Sequence, residues 1–198
     1  RIIWKYNFYK KQFKKNFFKI NLTIESNNLI VSDNLGYLYS IDVESGKLIW
    51  AKNYGIPFRS NIKTDDEYLF LINQDNKFYI IQKSNGEKKI DIETFPSFLK
   101  NNHQASISID PIKKNVYFIT TAGEVYSLNY KTNIINWLYK TTIRDFEKKV
   151  DLFFSSPIIY KEDSIIVSTS VSTISLNTLN GALNWELSFS TYLRPVVL

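Results

Sequence analysis

The chain has 198 residues, 44% of them apolar and 16% Tyr, Phe or Trp, so it can bury a core and is not a disordered segment. It has no Cys, which excludes disulfides, thiolate metal sites and cysteine nucleophiles, and its apolar runs fall far short of the roughly 20 residues that cross a bilayer. The net charge of +6 is local: residues 1–24 carry seven Lys and Arg and no acid, while the other 18 basic and 19 acidic residues nearly cancel.

In chain order the first element is RIIW (1–4), which matches KLIW at 47–50, so Trp4 reads as the end of a truncated repeat. The chain opens on Arg1 without Met, charged leader or apolar leader, which reads as the interior of a longer protein or a processed form. A basic stretch, KYNFYKKQFKKNFFKIN (5–21), follows, its aromatics interleaved with lysines. The first reading of it is a loop between two sheets with solvated lysines. The second is a docking segment in which Lys10, Lys11, Lys14 and Lys15 meet an acidic partner or lie near an anionic membrane surface. Nucleic acid is set aside as a partner.

Strand-like runs come next: FKINLTI (18–24), LIVSD (29–33), and the pair within GYLYSIDVESGKLIW (36–50). Polar residues SNN part the first two. In the third run Leu38, Ser40 and Asp42 alternate with Tyr39 and Ile41, the period of two of a strand. The same order returns three times. The second unit holds RSNIKT (59–64), YLFLIN (68–73) and NKFYIIQKSNGEKKI (76–90). The third holds QASISI (104–109), NVYFIT (115–120) and GEVYSLNYKTNIINW (123–137). The fourth holds SSPIIY (155–160), SIIVST (164–169) and VSTISLNTLNGALNW (171–185). The closing LRPVVL (193–198) resembles SSPII and begins another unit.

The final segments align without a gap. A polar position reads Asp42, Gln82, Asn129 and Asn177; four residues on, a turn position reads Gly46, Gly86, Asn133 and Gly181; four further on stand Trp50, Ile90, Trp137 and Trp185. Gly or Asn tolerates the positive φ of a tight turn, an Asp or Asn before it can accept the turn's N–H groups, and Trp can fill the gap between sheets while its N–H finds a carbonyl. Four strands recurring every forty-odd residues predict an all-β fold, a β-propeller of four-stranded antiparallel blades. The expected blades cover about 17–52, 58–92, 103–140 and 154–188, with partial blades from 1–5 and 193–198, as part of a ring of seven or eight.

The pattern LYSIDVESGKLIW (38–50) resembles the PQQ-like repeat, strongly at 36–50 and 171–185 and more weakly at 76–90 and 123–137, where Ile90 and Asn133 stand at the Trp and Gly positions. The resemblance covers essentially the whole chain. It implies one of two roles: a quinoprotein dehydrogenase holding PQQ and calcium, or a non-catalytic propeller of the BamB-like, outer-membrane assembly group. The enzymes of the family use an adjacent Cys pair, and this chain has none. The expectation is therefore a periplasmic scaffold at the inner face of the outer membrane. It would bind other proteins of the barrel-assembly machinery, with no cofactor, metal, catalytic residue or small-molecule substrate. The alternatives are a fragment of a PQQ-dependent dehydrogenase and an extracellular sensor propeller of a membrane kinase.

Other chemistry-bearing residues have plainer readings. His103 is the only histidine and sits in the polar stretch KNNHQAS, so it reads as a surface loop residue. Asp65, Asp66 and Glu67, like Glu162 and Asp163, fall between two strand runs and read as solvated turns.

Overall fold

The computed structural model describes residues 2–7, 9, 19–96, 105–141, 155–169, 171–191, 193–194 and 196. These form four antiparallel sheets of four strands, each a simple meander. The first sheet is β1 (Ile20–Glu25), β2 (Asn28–Asp33), β3 (Tyr37–Asp42) and β4 (Leu48–Asn53). The second is β5 (Lys63–Thr64), β6 (Tyr68–Ile72), β7 (Phe78–Gln82) and β8 (Lys88–Ile92). The third is β9 (Ser106–Asp110), β10 (Asn115–Ile119), β11 (Glu124–Asn129) and β12 (Ile134–Lys140). The fourth is β13 (Ile159–Lys161), β14 (Ser164–Ser168), β15 (Thr173–Asn177) and β16 (Leu183–Leu187).

The sheets stack as propeller blades. The first strands approach one another, β5 and β13 each lying against β9, so they form the inner row. The fourth strands are the outer edges, and β12 buries only one of its seven residues, Trp137. Each apolar core lies between two neighbouring sheets. Ile30, Leu38 and Trp50 of the first sheet meet Leu69, Leu71, Tyr79 and Ile81 of the second. Phe70, Phe78 and Ile80 of the second meet Val116, Phe118 and Leu128 of the third, with the Phe78 and Phe118 rings stacked at 4.3 Å. Tyr117, Val125 and Trp137 of the third meet Ile165, Val167 and Leu176 of the fourth. Each fully buried aliphatic chain stabilises by about 1.5–3 kcal/mol.

This stacking changes the meaning of the alternation in β3. Leu38, Tyr39, Ser40 and Ile41 are all buried, because the sheet is covered on both faces. Leu38 joins the core shared with the second sheet, whereas Tyr39 and Ile41 pack with Trp4 and Tyr6 on the opposite side.

Two inner strands are shorter than their sequence runs. β5 keeps only Lys63–Thr64 because the N–H groups of Arg59 and Ser60 both donate to the Ile72 carbonyl, at 2.8 and 3.2 Å, which interrupts the ladder. β13 starts at Ile159, after Pro157, which has no N–H to give a ladder. In both sheets a serine hydroxyl takes the second strand's N–H instead: Ser60 from Ile72 at 2.8 Å and Ser156 from Ser168 at 3.1 Å.

Candidate functional site

Every third-to-fourth-strand ladder carries a bulge at the same place, between Ser40 and Ile41, Ile80 and Ile81, Ser127 and Leu128, and Ser175 and Leu176. The skipped residue is the one before the Trp position: Ile49, Lys89, Asn136 or Asn184. A bulge re-aims side chains, and here it turns the Trp position toward the next sheet.

The aimed Trp makes a latch. The Trp4 indole N–H donates to the Val43 carbonyl at 2.6 Å, that of Trp50 to Lys83 at 2.9 Å, and that of Trp137 to Thr178 at 2.9 Å. Each acceptor follows the polar position of the next unit. That unit's turn glycine lies beneath the ring. A Cβ on Gly46, Gly86 or Gly181 would come within 2.6–2.7 Å of the indole of Trp4, Trp50 or Trp137. These glycines also hold φ of 67°, 70° and 71°. Trp185 differs: it is 40% exposed, and no further sheet follows it among the described residues.

The junction between the second and third sheets lacks both halves of the latch. Ile90 stands at the Trp position and Asn133, with φ 62°, at the turn position, so the second sheet offers no indole to this turn. Lys89, the bulged residue, supplies the missing donor. Its Nζ donates to the Tyr130 carbonyl at 3.2 Å, the acceptor that matches Val43, Lys83 and Thr178. It also donates to the Tyr68 hydroxyl at 2.9 Å and lies 4.1 Å from the centroid of that ring.

In three of the four sheets the polar position closes the turn after the third strand, while in the second sheet Asn85 accepts the Glu87 N–H at 2.8 Å. Asp42 accepts the Ser45 N–H at 2.7 Å, Asn129 those of Lys131 and Thr132, and Asn177 that of Leu179. These bonds hold the Asp42 carboxyl below the usual carboxylate range, the Ser45 side chain contributing most. A second set of turn anchors went unrecognised in the sequence. Asp33 accepts the N–H groups of Leu35 and Tyr37, and Asn73 those of Asp75 and Lys77. Thr169 plays the same part for Val171 and Ser172, and Thr120 for Glu124. The available signal was a short polar residue closing every second strand. Asn76 ties two sheets together: its Oδ1 accepts the N–H and hydroxyl of Thr121, at 3.2 and 3.0 Å.

Acids and phenols pair near the sheet boundaries. Tyr9 donates to Asp33, Tyr160 to Asp110 and Tyr126 to Glu124, all at 2.7 Å. Burial first, and these carboxylates second, raise the three phenols far above their ordinary value, so they serve as donors and not as bases. Asp65 is buried, against the expectation of a fully solvated turn, and its carboxylate accepts the N–H groups of Glu67 and Tyr68. Asp66, Glu67 and Glu162 are exposed, and Asp163 pairs with Lys113 at 3.0 Å. Among the described residues no group of three His, Asp or Glu is placed to hold a metal ion. His103 and the candidate partner-binding Lys10, Lys11, Lys14 and Lys15 lie outside the described residues.

A family model described as "Outer membrane protein assembly factor BamB" matches residues 1–198. No curated protein matches the chain. Among solved structures, BamB from Moraxella catarrhalis superposes with a TM-score of 0.66 at 14% identity, over 86% of this chain and 52% of that one. The computationally designed protein Ika8 superposes with a TM-score of 0.66 at 8% identity, over 87% of this chain and 50% of that one. At such identities the likeness shows the propeller fold, and the chain spans about half the length of each of these structures.

Proposed function

The chain belongs to the family of the outer membrane protein assembly factor BamB, and from that premise we propose that it is part of a non-catalytic scaffold that binds polypeptides during assembly of outer-membrane β-barrel proteins. It works on the periplasmic side of that membrane, in a ring of seven or eight blades like those described here. The observation that carries the reading is the set of outer strands. β12 runs seven residues along an outer edge and exposes Ile134, Ile135 and Leu138. β4 exposes Leu48 and Ile49, and β16 exposes Leu183 and Leu187. A free edge with apolar side chains accepts an extended segment as an added strand, main chain supplying affinity and side chains the preference. Lys10, Lys11, Lys14 and Lys15 add a basic segment suited to an acidic partner or a membrane surface.

The test is affinity purification of the tagged full-length protein from native membranes. Barrel-assembly components are expected with it. Their absence, together with dye-linked alcohol oxidation after addition of PQQ and calcium, would overturn the reading in favour of a quinoprotein.

A further inference from the structure

Arg59 plays no part in the latches or in the outer edges. It precedes Ser60, whose hydroxyl accepts the Ile72 N–H; at the matching place in the fourth sheet, Ser155 precedes Ser156. Arg59 is 7% exposed, and its Nη1 and Nη2 are buried with no hydrogen-bond partner. A guanidinium is charged at every accessible pH and carries five donors in a planar fork. Buried charges are ordinarily paired, because an unpaired one forfeits its hydration without return. Asp75, in the turn between β6 and β7, acts on Arg59 electrostatically but makes no ion pair with it. Burial therefore prevails and lowers the guanidinium's proton affinity.

The surroundings point to where a partner would enter. The Gln74 N–H donates to the Pro57 carbonyl at 2.8 Å, so Arg59 sits two residues from the β6–β7 turn at the rim. Lys63 follows four residues on, at the start of β5. Burial first, and the charge of Arg194 second, push the Lys63 ammonium below the usual lysine range. Lys63 pairs with Phe70 midway along β6, so Arg59 at the rim and Lys63 farther along put two positive charges on one inner segment, and the charge of Arg194 reaches Lys63.

We propose that Arg59 anchors a carboxylate-binding site at the axial mouth of the propeller, taking an Asp or Glu side chain from an acidic polypeptide segment. The proposal deepens the scaffold reading, on which it rests, by naming the chemistry of the bound chain. No hydrogen bond holds the Nη groups in their buried place, so the side chain turns toward the rim without breaking one. There Nη1 and Nη2 grip a carboxylate in the two-bond geometry the fork favours, and Lys63 adds attraction along the same row.

The test is calorimetric titration of the purified chain with a Glu-rich synthetic peptide and its Gln-for-Glu counterpart, at low and high salt. The Glu peptide is expected to bind and weaken with salt, and the Gln peptide is not. Arg59→Gln should weaken binding at least tenfold, Arg59→Lys less, and Lys63→Gln several-fold. Arg59→Met should abolish binding yet raise Tm, because the unpaired charge is gone. Unchanged binding in folded Arg59→Gln and Lys63→Gln variants, equal binding of the two peptides, or a lowered Tm in Arg59→Met overturns the proposal. Purified components suffice, so a failed peptide titration leaves the membrane purification standing. Peptide binding without barrel-assembly partners would instead overturn the family role and leave the site.

Discussion

Gly86→Ala tests the latch most directly. At φ 70° an Ala is held in the left-handed region, which costs about 1 kcal/mol. Its Cβ would lie 2.6 Å from Trp50 Cε3 and 2.8 Å from Cζ3, far inside contact distance, so the indole must shift. That shift strains or breaks the 2.9 Å bond to the Lys83 carbonyl, worth about 1–3 kcal/mol when a partner is left buried and unpaired. Displacing a ring that is only 8% exposed adds an overpacking penalty of about 1 kcal/mol or more. The total is about 3–5 kcal/mol. Asn133→Ala is the control, since Asn133 holds φ 62° in the same turn but lies under no indole; it should cost about 1 kcal/mol or less. Urea unfolding with a common slope gives both numbers. In a Trp50→Ala background the Gly86→Ala cost should fall to about 1 kcal/mol, a coupling of about 2–4 kcal/mol. If Gly86→Ala costs no more than Asn133→Ala, the latch is not what demands glycine, and the reasoning fails.

Other outcomes follow from the same geometry. Trp137→Ala, at a ring 9% exposed, should cost about 3–5 kcal/mol, and Trp185→Ala, at a ring 40% exposed, about 1 kcal/mol; equal losses would contradict the one-sided packing of Trp185. Ile90→Trp alone should destabilise, because Asn133 carries a Cβ where the indole would lie, and adding Asn133→Gly should recover most of the loss; thermal melts of the two variants decide it. Asp91 pairs with Lys77 and Lys88, and the Lys77 hydrogen bond, followed by that of Lys88, holds its carboxyl below the usual range. Its contribution is therefore present above the unfolded value near pH 4 and is lost as pH falls through the lower folded value. Wild type should lose more stability than Asp91→Asn between about pH 4 and pH 2, and parallel acid curves for the two would refute the pairing.

How legible this protein was depended on the range of the interaction concerned. Period-two runs, polar turns and the spacing of Gly46, Gly86 and Gly181 were enough to establish four-stranded units, because strand pleat and turn φ are set by a few adjacent residues. The polar position showed its purpose for the same reason: Asp42, Asn129 and Asn177 bond N–H groups only two or three residues away. Contacts between sheets were a different matter. Ile90 and Asn133 read as separate weak spots in two repeats, yet they are the two sides of one junction, with Lys89 as its replacement donor. The burial of both faces of β3 and the unpaired guanidinium of Arg59 also emerged only with stacking. Repetition along the chain determined that the units exist, but the latch bonds join residues 33 to 41 positions apart. Only the folded arrangement decides which indole covers which glycine and which buried charge is left without a partner.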